Sequence, residues 1–254
     1  MNAIAENRFT EAWRLIGERT VKPRAILAIS AHWFVPGTAV TIATAPRTIH
    51  DFGGFPPELY AVQYPAPGDP GLARRVRQLL APTPVALDDS WGLDHGTWSV
   101  LKHVFPLADV PVVQLAIDEL RPPRFHFDVG RKLAALRSEG VLVVASGNLV
   151  HNLEAYAWGR RVSGPYDWAV RFETQVKRLL LDGDENLLVD YSALGTDAAL
   201  SVPTPEHYLP FLYALGSRLP DDAITFPVDG IEGGSISMLT VEFGPRTGDR
   251  AQHA

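Results

Sequence analysis

Five histidines could do chemistry in this sequence: His32, His50, His95, His151 and His207. Each sits in a loop or at an element end rich in glycine, proline or aromatic residues. A neutral imidazole is the commonest protein metal ligand and suits zinc and iron, and it also moves protons near neutral pH. Ligands scattered along a chain fit a catalytic metal, whereas compact spacing is typical of structural zinc modules. Asp51, Asp94 and Glu206 each neighbour one of these histidines. A carboxylate so placed orients an imidazole from behind, the alternative being a solvated surface charge. The other three histidines, His103, His126 and His253, lack such context and read as two helical or near-helical positions and one tail residue. No H-E-x-x-H, P-loop, G-x-S-x-G or G-x-G-x-x-G pattern stands out.

The elements that must position these residues follow from the apolar pattern. Ala25 to Ile29 is an uninterrupted apolar run, suited to a strand buried on both faces. It delivers Ser30, Ala31 and His32 to its carboxyl end, the end at which open α/β sheets bind ligands. Val141 to Ala145 repeats the plan and leads through Ser-Gly-Asn-Leu-Val to His151. Thr204 and Pro205 read as a helix start that places His207 in the first turn of a helix ending at Leu215, where the positive helix end favours neutral imidazole. The loop from Ala45 to Pro57, holding His50 and Asp51, is too rich in glycine and proline for regular structure, and its aromatic rings suit a binding loop.

Further helices are expected at 8–18, from Asp69-Pro70 onward, at 97–105, 125–138 and 166–181, with a shorter one over 185–194. Further strands are expected at 39–44, 84–87, 110–117, 224–228 and 235–243. This alternation predicts an α/β fold, a single domain with a mostly parallel central sheet flanked by helices. The domain is placed at residues 1–245, followed by a disordered polar tail at 246–254.

Bulk properties narrow the function. The chain has 254 residues, a net charge of −6 and no cysteine. Thiolate zinc sites, disulfides and cysteine nucleophiles are thereby excluded. The acidic balance argues against nucleic acid. No apolar run approaches a membrane span, and the first residues lack a signal-peptide pattern, so a cytoplasmic protein is expected.

Seven stretches together resemble a known family. They are Ser30-Ala-His32-Trp, His50-Asp-Phe-Gly-Gly-Phe-Pro, Tyr64-Pro-Ala-Pro-Gly, Trp91-Gly-Leu-Asp-His95-Gly-Thr-Trp, Pro111-Val-Val-Gln-Leu, Ser146-Gly-Asn-Leu-Val-His151-Asn and Pro203-Thr-Pro-Glu-His207-Tyr-Leu-Pro. In this order they are similar to the 4,5-DOPA extradiol dioxygenases, within the class III extradiol ring-cleavage enzymes.

The resemblance implies cleavage of a catechol-type, DOPA-like ring with O2. It also implies one mononuclear divalent metal, Fe(II) for oxygenation or Zn(II) as in some bacterial relatives. His32 and His207 match metal ligands. His151 matches an acid/base histidine near the metal that is sometimes counted as a ligand. His95 matches a histidine that contacts substrate or oxygen, and His50 and Asp51 match a loop lining the substrate pocket. In the family, a strand ending in Gly-His-Gly-Ser-Pro, its histidine a metal ligand, precedes the Met-Asn pair at which this sequence opens. The expectation is that the upstream reading frame encodes that strand, and that the 254-residue form binds metal weakly and exposes backbone groups of the sheet. Two competing readings remain: a zinc-dependent hydrolase, and a non-catalytic binding protein on the same scaffold. The sequence sets no oligomeric state.

Overall fold

The computed structural model describes residues 2–159 and 164–245. It opens on helix α1 (Arg8–Arg19), capped by Asn7, whose side chain accepts from the amides of Phe9 and Thr10 while the Thr10 hydroxyl accepts from the Asn7 amide. These bonds satisfy donors that a helix start leaves free. Strand β1 (Ala25–Val35) follows and is longer than the apolar run alone suggests. Its residues divide between two cores. Leu27 and Ile29 point into the larger one, Ile26 and Ala28 into the smaller one around Trp98 and Leu101. Period-two alternation with both faces buried produces a run that shows no alternation of polarity. Complete burial of each Leu or Ile here contributes roughly 2 kcal/mol.

The chain continues through β2 (Thr38–Thr41), α2 (Pro57–Tyr60), α3 (Pro70–Leu80), β3 (Val85–Asp88), α4 (His95–Val104) and β4 (Val112–Asp118). Next come α5 (Pro123–Leu133), α6 (Ala135–Ser138) and β5 (Val141–Ser146). The expected helix at 125–138 is present as α5 and α6, joined by Ala134, whose backbone stays helical. The five strands form one sheet in the order β3-β2-β4-β1-β5. The β1–β4, β1–β5 and β2–β3 pairs are parallel and β2–β4 is antiparallel, so the sheet is mostly parallel, as expected.

The last third holds α7 (Asp167–Asp182), α8 (Glu185–Val189), a 3-10 turn over Tyr191–Leu194, α9 (Thr196–Ser201) and α10 (Leu209–Gly216). It ends in β6 (Ala223–Val228), β7 (Ile231–Glu232), β8 (Ile236–Ser237) and β9 (Thr240–Gly244). Helix α9 was not anticipated. The expected strand at 235–243 is two short strands, β8 paired with β7 and β9 with β6, separated where the Leu239 amide turns to donate to the Ser237 hydroxyl.

Strand β5 lies at the edge of the five-stranded sheet, registered on β1 from Ala25–Val141 to Ser30–Ser146. Among the described residues its other edge carries no strand partner, and Leu142 to Ser146 are only half-buried. A cavity of about 1540 Å³ follows this edge, with residues 141–149 on one wall and residues 236–245 on the other, and continues to the histidines at the strand ends. The 246–254 tail and His253 lie outside the described residues. Among the described residues, no helix is long and apolar enough to cross a membrane.

Candidate metal and catalytic site

Four histidines reach the cavity from four different elements. His32 comes from the carboxyl-terminal half of β1, His95 opens α4, His151 follows the loop after β5, and His207 lies in the turn before α10. The rings of His32 and His95 are 3.8 Å apart between centroids, those of His32 and His207 5.3 Å, and those of His151 and His207 3.4 Å in a parallel stack. Close backbone approach makes this possible. A Cβ on Gly96 would lie 2.3 Å from the Ser30 hydroxyl and 2.9 Å from the His32 ring, and one on Gly147 would lie 2.3 Å from the His207 carbonyl. Only glycine fits at either position.

The site has two halves. In the first, Asp51 stands between two imidazoles. Its Oδ2 is 2.9 Å from His95 Nδ1 and 3.4 Å from His32 Nδ1, and its Oδ1 accepts from the His95 amide at 2.8 Å. In the second, His207 Nδ1 is 3.0 Å from Asn148 Oδ1, and a Glu206 carboxylate oxygen stands near the His151 and His207 nitrogens. Each half brings three potential ligand atoms within 4.8 Å of one another: His32, Asp51 and His95, and His151, Glu206 and His207.

Electrostatics keeps three of these imidazoles neutral. Burial lowers the pKa of His32 to about 4, helped by His95 and opposed by Asp51. Burial, then His151, His32 and His95, hold His207 well below its ordinary value. Burial lowers His151 despite Glu206. Burial alone would raise the Asp51 carboxyl, but its hydrogen bonds from His95 and its electrostatic coupling to the two imidazoles outweigh that and hold it below its ordinary value. Clustered neutral imidazoles beside an ionised carboxylate offer lone pairs and negative charge at neutral pH. That donor set suits one divalent metal ion.

Three sequence expectations are corrected. His50 does not line the cavity. Its Nε2 is 3.0 Å from the Val62 carbonyl and its ring packs against Phe52, Tyr60 and Trp98, so it anchors the loop that presents Asp51. His207 is not in a helix. Pro205 to Tyr208 form a turn, α10 starts at Leu209, and the Thr204 hydroxyl donates to Glu206 instead of capping. The neutrality of His207 comes from burial, not from a helix end. Asp94 is not behind an imidazole. It caps α4 by accepting from the Thr97 amide, and Gln114 donates to its buried carboxyl, which burial raises. Of the three carboxylates adjacent in sequence to histidines, Asp51 makes the imidazole contact.

The unremarkable histidines are structural. His103 meets the Asn2 carbonyl at 3.0 Å, and His126 meets the Tyr213 hydroxyl at 2.9 Å and the Arg121 carbonyl at 3.2 Å. The sequence reading assigned nothing to Asn148, nor to Tyr156 and Trp158, which line the cavity near His151. The available signal for Asn148 was a polar residue two places past a strand end, between a glycine and an apolar pair. Phe52 and Phe55 also line the cavity, with Phe52 5.3 Å from the His95 ring. A cluster that could hold a metal ion, at the strand ends of an α/β sheet and opening into a cavity, is the arrangement of a metalloenzyme acting on a small molecule.

Comparison with known proteins makes the class specific. A family model for the catalytic LigB subunit of aromatic ring-opening dioxygenase matches residues 4–223. A 4,5-DOPA dioxygenase extradiol of Escherichia coli (strain K12) is 52% identical over 248 residues, covering 96% of this chain and 91% of that protein. A 4,5-DOPA dioxygenase extradiol of Beta vulgaris is 34% identical over 93% of this chain and 88% of its own length. A crystal structure of an uncharacterized Escherichia coli K12 protein superposes with a TM-score of 0.84 at 47% identity, covering 95% of this chain and 94% of that one. The chain belongs to the LigB family of aromatic ring-opening dioxygenases and is an extradiol ring-cleaving enzyme.

Proposed function

We propose that the enzyme opens a DOPA-like catechol beside its two hydroxyls, using O2 and one Fe(II) ion held by His32 and His207, with His151 beside it. The observation that carries this reading is the convergence of three burial-neutralised imidazoles on an aromatic cavity. Iron is favoured over zinc because zinc has no redox chemistry. When bound, the metal supplies a chelation point for the two catechol oxygens and electrons for oxygen activation. The relatives named as 4,5-DOPA dioxygenases support the choice of ring, and Phe52, whose ring lies 5.3 Å from that of His95, provides a face against which it can lie.

The protein's own groups handle protons and orientation. Chelation by both oxygens requires a catechol to lose protons. His95 is one acceptor: with Nδ1 donated to Asp51, its Nε2 presents a lone pair. Asp51 fixes that tautomer and balances the positive charge that develops on the ring. His151, stacked on His207, is the second acid/base group, placed to return a proton to the opening ring.

This reading is tested by loading the protein anaerobically with Fe(II), adding catechols that differ in their ring substituent, and following oxygen uptake and yellow product. One O2 consumed per catechol opened, with a DOPA-like side chain preferred, is expected. Turnover of esters or amides by the zinc form with no catechol-dependent oxygen uptake would favour a hydrolase instead.

A further inference from the structure

Asn148 makes three bonds, two to His207 and one to Ser237, that fix how its amide is oriented. Its backbone N–H donates to the His207 carbonyl at 2.9 Å. Its side-chain Nδ2 donates to the Ser237 carbonyl at 2.7 Å. Its Oδ1 lies 3.0 Å from His207 Nδ1. An amide nitrogen can only donate and a carbonyl can only accept. With Nδ2 committed to Ser237, the atom facing the imidazole is an acceptor, so the bond requires a hydrogen on Nδ1.

The anchor is itself fixed. Ser237 is buried on β8, its amide donates to the Val150 carbonyl, and its hydroxyl donates to the buried Glu173 at 2.6 Å. The absence of a side chain at Gly147 lets this strand end lie against the His207 backbone. The turn carrying His207 and the loop carrying His151 are thereby stitched to the hairpin β7–β8.

We propose that Asn148 is a positioning residue that locks His207 in the tautomer with its proton on Nδ1, leaving the Nε2 lone pair facing the pocket. Free neutral histidine in water prefers the opposite tautomer, so without this contact the ring would present an N–H where a lone pair is needed. The partner on the other ring nitrogen sets which nitrogen is free to ligate. A neutral amide does this without adding negative charge, which distinguishes it from the carboxylate behind His95. The consequence for metal binding rests on the assignment of His207 as a ligand; the tautomer lock does not.

The two parts separate experimentally. Nitrogen-15 NMR of the metal-free protein with labelled histidine reads the tautomer directly. Wild type is expected to show His207 protonated on Nδ1, and Asn148→Ala to shift it toward Nε2. Asn148→Asp keeps an oxygen acceptor for Nδ1, though it loses the Nδ2 donor to the Ser237 carbonyl, and is expected to retain the wild-type tautomer. Zn2+ competition titration should show about 10–100-fold weaker binding in Asn148→Ala and near-wild-type binding in Asn148→Asp. A wild-type His207 carrying its proton on Nε2 overturns the proposal, and so does a folded Asn148→Ala that keeps both tautomer and affinity. If Asn148→Ala does not fold, the wild-type spectrum and Asn148→Asp decide. If the tautomers behave as expected while His207→Ala leaves Zn2+ affinity unchanged, the lock stands and the ligand assignment fails.

Discussion

His95 and His207, one from each half of the site, use the same side chain for different work, and the group behind each ring distinguishes them. His95 is backed by a carboxylate, Asp51, which takes both its backbone amide and its Nδ1. His207 is backed by an amide, Asn148, which takes its Nδ1 and adds no charge. A carboxylate stabilises a ring that becomes positive, as an acid/base group must. A neutral acceptor fixes a ring that must stay neutral, as a ligand must. Burial reinforces the second role, holding His207 far below the pH at which free imidazole protonates.

The largest expected effect comes from breaking the ligand side. His32→Ala or His207→Ala should weaken metal binding by more than the ~100-fold upper range for losing a supporting hydrogen bond, with oxygen uptake falling below detection. Metal content after gel filtration checks this. Retention of full metal occupancy in either variant would move that residue out of the ligand set.

A smaller effect is expected on the acid/base side. His95→Ala and His151→Ala should lower turnover about 10²–10⁴-fold, with His95→Ala leaving metal content near one per chain. Asp51→Asn keeps an acceptor but removes the charge, so its loss of turnover should be smaller than that of His95→Ala, roughly 10–100-fold, by analogy with other residues that support a ligand or base. Steady-state oxygen uptake compares the three. Equal losses in Asp51→Asn and His95→Ala would mean that the charge itself, and not the orientation of the ring, dominates.

How much of this was legible in the sequence depended on whether the signal was local. Asp69 as the cap of α3, Gly183 ending α7, the buried strand at 25–29 and the strand at 141–145, half-buried at the sheet edge where burial on both faces was expected, all follow from short-range patterns. The grouping of His32, His151 and His207, with His95 beside them, was expected from two strand ends and a helix start, and the rings do lie together although His207 comes from a turn. The direction of a loop side chain could not. His50 and Asp51 are neighbours, yet one points to Val62 and the other into the site. The role of Asn148 depends on Ser237, 89 residues away, and nothing in either local stretch records the other. Pro205 looked like a first helical residue because proline favours that position, but here it begins a turn whose carbonyl accepts from both Tyr208 and Leu209.

The smallest effect contrasts a core histidine with the site histidines. Burial lowers His126 to a pKa of about 4, and the ring sits between Tyr213 and Arg121. Its folded pKa is depressed below the unfolded value near 6.5, so between those two values the unfolded chain binds the extra proton. Stability should therefore rise with pH across about 4 to 6.5 and be lost on acidification through that window, by up to about 3 kcal/mol from this residue. Urea unfolding of wild type and His126→Asn across that range checks it. An unchanged slope in the variant would assign the acid sensitivity to the site cluster instead.

The most direct test of the central claim is where a metal ion sits. Each half of the site could gather three donor atoms of its own, so the geometry allows either one shared ion or two separate ones. Crystals soaked with Fe(II) without oxygen, with anomalous scattering measured at the iron edge, would locate the ion. One peak about 2 Å from nitrogens of both His32 and His207, with His95 outside bonding distance, is the predicted result. Two peaks, one within each triad, or a single peak bound to Asp51 and His95, would contradict the assignment of His32 and His207 as ligands and His95 as an acid/base group.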